Sequence, residues 1–378
     1  MTFFTALLFN ISYATLLKEE KSLTFMIKFT FIDTVQKLEV AAKQWRKEKV
    51  LAIDLECENN LHHYGSYLAL IQISSKTEHW IIDLLALKEV DPLVKILQNP
   101  KIQKVFHDVG FDFRILHHQL KCRPKNIFDT QVAALLLGRT ELGLGSLLEH
   151  YLELKKESKF QMADWTKRPL TKEMLEYAIK DTKYLIRIRD LLIQDLKKKN
   201  RVAWAEEEFK YIQNKNVVYK EGGYKDITGY KSMEPHQRAI LKRLFIQREK
   251  LAKKVDRPVH FILATKKIVS FAIKPPKNLL EWRKMRQVHP VVRNYAKIFF
   301  DEVQKGKKES IKIIIPKKKH YTPAQKEKLK QLADLREKIG TKLHLPKHLI
   351  LSKEQMHHIT IDGNLDSLRS WQKKLVEN

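Results

Sequence analysis

Apolar and polar positions alternate in short runs from Val50 onward. VLAIDLE (50–56), YLALIQISS (67–75) and HWIIDL (79–84) are rich in β-favouring residues and predict three strands. The polar stretch Lys76-Thr77-Glu78 between the last two predicts a hairpin turn. KVFH (104–107) predicts a further short strand, and VDPLVKILQNP (90–100) before it has helical spacing closed by Asn99-Pro100. Helical and short extended segments then alternate to about residue 200. Three successive strands followed by that alternation imply an α/β domain on a mixed sheet.

The strongest helical pattern runs over 171–200, with Thr171 as N-cap and a lysine run at the end that suits the helix dipole. KEGGYKDITGYKS (220–232) is polar and Gly-containing and predicts a linker. Residues 233–305 are helix-rich, with Pro275-Pro276 as a breaker, and predict a small bundle. The basic stretch KKESIKIIIPKKK (307–319) follows, and then a helical part whose core positions are sparser.

A chain of 378 residues predicts two or more domains, and 43% apolar residues exclude a wholly disordered one. Charge changes the picture more: 72 Lys and Arg against 44 Asp and Glu leave a formal net charge of +28. Residues 1–200 carry 31 basic and 25 acidic groups, while residues 201–378 carry 41 and 19. Such an excess points to a polyanionic partner, a nucleic acid or an anionic membrane surface, and its asymmetry predicts that the two halves do different jobs. Two cysteines, Cys57 and Cys122, exclude a disulfide framework, and no paired Cys and His spacing suggests zinc. Residues 1–17 are apolar and uncharged but short for a membrane span, and lack the charge pattern of a signal peptide. Residues 1–25 are accordingly expected to be a non-globular, dispensable extension, and no later stretch is apolar enough to span a membrane.

Chemistry concentrates at three places. Asp54 and Glu56 end an apolar strand, where positions i and i+2 share a face. Two carboxylates so close raise each other's pKa unless a cation sits between them, and hard oxygen ligands select Mg²⁺ or Mn²⁺. Tyr177 and Asp181 are four apart on the strong helix and share a face one turn apart. The stretch His107-Asp108-Val109-Gly110-Phe111-Asp112 places Asp112 on the first turns of the helix after the KVF strand. Singly, each has an ordinary structural explanation: a solvated strand end, a packed tyrosine with a paired carboxylate, a helix-end charge. His107 is expected to make a structural hydrogen bond, and Trp165 and Arg168 to support the loop before the long helix. His62-His63 falls in a loop after the first of these strands. Gly143-Leu144-Gly145-Ser146 lacks the GK[ST] continuation of a phosphate loop and predicts a helix junction.

Taken together, IDLE (Asp54, Glu56), VFHDVGFD (Asp112) and YAIKD (Tyr177, Asp181) resemble the ribonuclease D family of DEDD 3′-5′ exonucleases, in the branch with Tyr in the third motif. LALIQIS, IFDTQVAALLLG and ADWTKRPL agree with it too. The resemblance implies an RNase H-like exonuclease domain over 27–206, a linker over 207–232, and an HRDC helical nucleic-acid-binding domain over 233–306. Residues 307–378 would hold the basic stretch and a degenerate second HRDC-like segment. It further implies a 3′-5′ exoribonuclease that trims tRNA precursors in the cytoplasm and uses two divalent metal ions, Mg²⁺ or Mn²⁺. Asp54, Glu56, Asp112 and Asp181 would be the metal ligands, with Tyr177 orienting the attacking water. RNA is the expected partner, with no stable membrane association and no protein partner. A DNA exonuclease for proofreading or repair, a non-catalytic nucleic-acid-binding protein and a membrane-surface protein are the competing readings.

Overall fold

The computed structural model describes residues 27–215, 219, 222–314 and 320–377; the extension expected over 1–25 lies outside them. Six strands, β1 (Thr30–Ile32), β2 (Val50–Asn59), β3 (Ser66–Ser74), β4 (His79–Asp83), β5 (Gln103–Phe106) and β6 (Ile127–Asp129), form one sheet in the order β1-β4-β3-β2-β5-β6. β2 pairs antiparallel with β3, and β3 with β4, through the expected hairpin; the β1–β4, β2–β5 and β5–β6 pairs are parallel. The sheet is therefore mixed, as the strand and helix alternation implies. β2 lies inside it, which is why Val50 to Ile53 are continuously buried rather than alternating.

Helices α1 (Val35–Trp45), α2 (Asp91–Leu97), α3 (Gly110–Leu120), α4 (Thr130–Leu136) and α5 (Leu144–Leu152) surround the sheet. Asp129 welds the turn before α3 to the start of α4. Its carboxylate accepts from the backbone N–H groups of Gln131 and Val132 as an N-cap and from those of Asp108 and Val109. α3 is thereby fixed at the end of β5.

The single helix expected over 171–200 is two helices, α6 (Lys172–Lys183) and α7 (Leu185–Lys198), separated at Tyr184. The break follows from the sheet's two faces. Met174, Ala178 and Ile179 of α6 pack with Leu70 and Ile81, whereas Ile188, Leu192 and Leu196 of α7 belong to the core containing Ile71 and Ile82. Neighbouring strand residues face opposite ways, so the chain turns at Tyr184 to serve both faces.

α8 (Val202–Asn214) continues through the first eight residues of the stretch expected as linker. Glu208 and Phe209 are buried, so this segment is bound to the domain rather than free of it.

Beyond it, α9 (Pro235–Val255), α10 (Val259–Ile262), α11 (Thr265–Ile273), α12 (Leu279–Arg283), α13 (Pro290–Asn294) and α14 (Ala296–Lys307) form a bundle with its own core. Fully buried Trp282 stacks on Phe299 with centroids 5.3 Å apart. α9 and α14 meet at Gly306, where a Cβ would lie 2.8 Å from the Cα of Ile240, so only glycine permits that approach.

The last helices, α15 (Pro323–Leu343), α16 (Lys347–Ile350), α17 (Lys353–Asp362) and α18 (Ser370–Glu377), join the core of the first domain rather than that of the bundle. Trp371 stacks on Trp204 of α8 at 4.8 Å, and Glu208 accepts from Arg369 Nε at 2.6 Å and Trp371 Nε1 at 2.9 Å. α15 also repeats the pattern of α9. Each is a 21-residue helix with proline at its start and a capping box, ends in a left-handed residue (Asp256, His344), and is followed by a four-residue helix after Pro258 or Pro346.

Candidate active site

β2 presents Asp54 and Glu56 on one face, and an irregularity in its pairing with β3 falls just after Glu56. α6 crosses that sheet end and brings Asp181. Oxygens of Asp54, Glu56 and Asp181 all lie within 4.8 Å of one another. Three of the four carboxylates expected as metal ligands are thus one cluster. The fourth, Asp112, is buried in the first turn of α3 outside that trio, but its charge is felt there, and Asp54 in turn raises its pKa.

Crowding and burial make this cluster electrostatically costly in the absence of a cation. Burial pushes the Asp54 carboxyl from its ordinary 3.8 to about 7, the Asp181 charge adds to the rise, and Lys156 opposes it. Glu56 and Asp112 are raised by burial first and by neighbouring carboxylates second. Asp181 is raised by burial, against Lys156. The Lys156 ammonium lies 2.5 Å from Asp181 Oδ1 and 5.9 Å from the Tyr177 ring centroid. The ammonium is thus the charged partner of buried Asp181 Oδ1. A carboxylate trio whose one cation among the described residues is a tethered lysine fits a hard divalent cation well.

Tyr177 is buried between Phe160 and Trp165, at centroid distances of 5.7 and 6.2 Å. Burial and the charge of Asp181 push its phenol above the ordinary range. The supporting residues take structural places. His107 Nδ1 meets Thr130 Oγ1 at 2.9 Å, and burial lowers its pKa to about 4, so the ring is neutral at pH 7. Arg168 grips Asp83 with two hydrogen bonds of 2.6 Å, which anchors the loop before α6. Gly143 precedes α5, a helix junction.

The two histidines after β2 differ. His62 Nδ1 is 3.3 Å from Glu58, and Glu58, His62 and Asp164 offer ligand atoms within 4.8 Å. Those groups already satisfy one another and nearby backbone: Glu58 accepts from the N–H of Leu61 and of His62, and Asp164 accepts from Thr166 and His63. His63 bridges the two bodies of the protein, with Nε2 3.1 Å from Asp164 and Nδ1 2.7 Å from Asp256 at the end of α9. Neither that bridge nor the role of Lys156 is signalled in the sequence, because each depends on residues far apart in the chain.

Residues 29–197 match the 3′-5′ exonuclease family and residues 237–303 match the HRDC domain. Among curated relatives, the exosome complex exonuclease RRP6 of Saccharomyces cerevisiae is 28% identical over 268 residues, covering 66% of this chain and 36% of that protein. Ribonuclease D of Zymomonas mobilis is 33% identical over 245 residues, covering 62% and 61%. The chain thus spans about a third of the length of the yeast relative. The crystal structure of ribonuclease D from Escherichia coli superposes with a TM-score of 0.70 at 24% identity over 92% of this chain and 96% of that one, which shows the shared fold. The chain thus carries a DEDD-type 3′-5′ exonuclease domain over residues 29–197 followed by an HRDC domain over 237–303, and ribonuclease D proteins are among its relatives.

Proposed function

We propose that the protein is a 3′-5′ exoribonuclease that hydrolyses phosphodiester bonds and releases 5′ mononucleotides. The observation that carries this reading is the trio Asp54, Glu56 and Asp181 within 4.8 Å, with Asp112 and Tyr177 beside it. RNA is favoured over DNA because the related proteins are named ribonuclease D and exosome exonuclease. Precursors of tRNA, with extended 3′ ends, are the substrates we favour.

Asp54, Glu56 and Asp181 would hold one divalent ion, Mg²⁺ or Mn²⁺, and Asp54 with Asp112 a second. When bound, such a pair supplies charge relief at the phosphate and an acidified water. The chain's own groups do the rest. Tyr177, with its phenol raised further, stays protonated at neutral pH; its hydroxyl orients the attacking water and is too weak an acid to serve as the base. Neutral His107 and the Arg168–Asp83 pair hold α3 and α6 in place around the cluster.

The test is product analysis on matched RNA and DNA oligonucleotides labelled at either end, with Mg²⁺ added or chelated. Metal-dependent release of mononucleotides from the 3′ end of RNA is expected. Endonucleolytic fragments, equal activity with chelator, or preference for DNA would overturn the reading.

A further inference from the structure

Gln72 lies within β3, wholly buried, and neither its Oε1 nor its Nε2 has a hydrogen-bond partner among the described residues. A primary amide carries two donors and two acceptor lone pairs, and burying them unpaired is unfavourable in a way that an apolar side chain of the same shape would avoid.

The register shows what the amide adjoins. Gln72 stands directly opposite Asp54 of β2 on one side and Ile81 of β4 on the other. Opposed residues of an antiparallel pair point to the same face, with Cβ atoms about 4.5–5.5 Å apart. Gln72 therefore shares the face of Asp54 and Glu56, which α6 covers. Its neighbours two positions away along β3 agree: Leu70 packs with Ala178 and Ile179, and Ser74 Oγ meets Thr182 Oγ1 at 2.7 Å. The amide is thus enclosed between the sheet and the part of α6 that carries Asp181, beside Asp54.

Few other groups in that layer can meet it. Ser74 and Thr182 are bonded to each other; Ser74 also meets His79 Nδ1 at 2.8 Å, and Thr182 donates to the Ile179 carbonyl. Leu70, Ile81 and Ala178 are apolar. The Asp54 carboxylate is within reach, because the pairing distance is shorter than a glutamine and an aspartate side chain laid end to end. A carboxylate that holds a cation on one side keeps oxygen lone pairs on the other, and a donor placed there fixes its orientation.

We propose that Gln72 is a positioning residue for Asp54: with a divalent ion bound, Gln72 Nε2 donates to the Asp54 carboxylate and holds it in the orientation the ion requires. The proposal rests on the reading of the carboxylates as a metal site, and its test separates the two.

Full-length Gln72→Met, which keeps the length of the side chain and removes the amide, is compared with wild type. Mg²⁺ binding by calorimetry is expected to weaken about tenfold, the lower end of what loss of such a supporting bond does to metal affinity. Thermal unfolding with chelator is expected to give a Tm equal to or above that of wild type, because a buried unpaired amide is gone. A purely structural role would give the reverse, a lower Tm with chelator and unchanged Mg²⁺ affinity. Unchanged affinity overturns the proposal at any Tm. In wild-type protein with glutamine nitrogens isotopically labelled for NMR, the side-chain amide signal that Gln72→Met lacks should shift when Mg²⁺ is added. A signal that stays in place overturns the proposal, whatever the variant does. Absence of Mg²⁺ binding by wild type would refute the metal-site reading itself, and this proposal with it.

Discussion

Replacing Asp54 by Asn is expected to stabilise the metal-free protein while abolishing hydrolysis. Asn keeps the shape and removes one negative charge from the trio it forms with Glu56 and Asp181, beside buried Asp112. The Asp54 carboxyl is raised from 3.8 to about 7. Its proton is thus held more tightly in the folded chain than in the unfolded one. The stability this contributes is full below pH 3.8 and is lost as pH rises through about 7. A rise of that size is worth about 4 kcal/mol at most. Asp54 keeps a partly open side, so screening by water brings the expected gain on substitution to about 2 kcal/mol at pH 8. For a domain of this size that is a rise in Tm of about 4–8 °C. The assay is thermal unfolding of wild type and variant with chelator across pH 4 to 8. The difference should be small at pH 4 and grow toward pH 8. Adding Mg²⁺ should raise the wild-type Tm and shift the variant far less. A variant that melts at or below wild type at pH 8 with chelator would refute the electrostatic reasoning.

Lys156→Met should lower the Tm of the metal-free protein and tighten Mg²⁺ binding severalfold by calorimetry, because the tethered ammonium and the metal seek the same carboxylates; weaker Mg²⁺ binding would contradict this. Gly138 has φ of +83°, and a Cβ there would lie 2.3 Å from the carbonyl oxygen of His344. Gly138→Ala should therefore cost about 2 kcal/mol or more and expose the C-terminal helices to limited proteolysis, with an unchanged digestion pattern as the contrary result. The His63 imidazole is raised above its ordinary range, first by its hydrogen bond to Asp256 and also by Asp164, against partial burial. Its bridge is fully present below pH 6.5 and is lost as pH rises through the raised value. The distance between dyes on the exonuclease domain and the bundle should lengthen over that rise, and His63→Gln should remove the pH dependence.

Much of the candidate site is legible in the sequence because its carboxylates and Tyr177 sit on elements whose period places them. Asp54 and Glu56 share a strand face, and Tyr177 and Asp181 a helix face, by local geometry alone. The sheet's hairpin follows from apolar runs flanking Lys76-Thr77-Glu78. What escapes is decided by tertiary packing. The helix over 171–200 reads as continuous because nothing at Tyr184 forbids a helix; only the need to cover two faces of a sheet breaks it. Residues 207–214 fall in the linker that the resemblance implies, yet Glu208 is the buried acceptor for Arg369 and Trp371. Lys156 is one lysine in a lysine-rich stretch, and only the fold brings it to Asp181.

The left-handed residues that end α9 and α15 do more than stop two helices. At Asp256 the turn offers its carboxylate to His63 and the N–H of Tyr64, on the loop after β2. At His344 the equivalent turn presses its carbonyl against Gly138, after α4. Two copies of one supersecondary pattern thus use the same corner to grasp the exonuclease domain at separate points. A duplicated attachment point of this kind makes the exonuclease domain the shared anvil of both helical arms. Shortening either corner by a single residue would unseat one arm and leave the other attached, which gives a means of separating their contributions without deleting either.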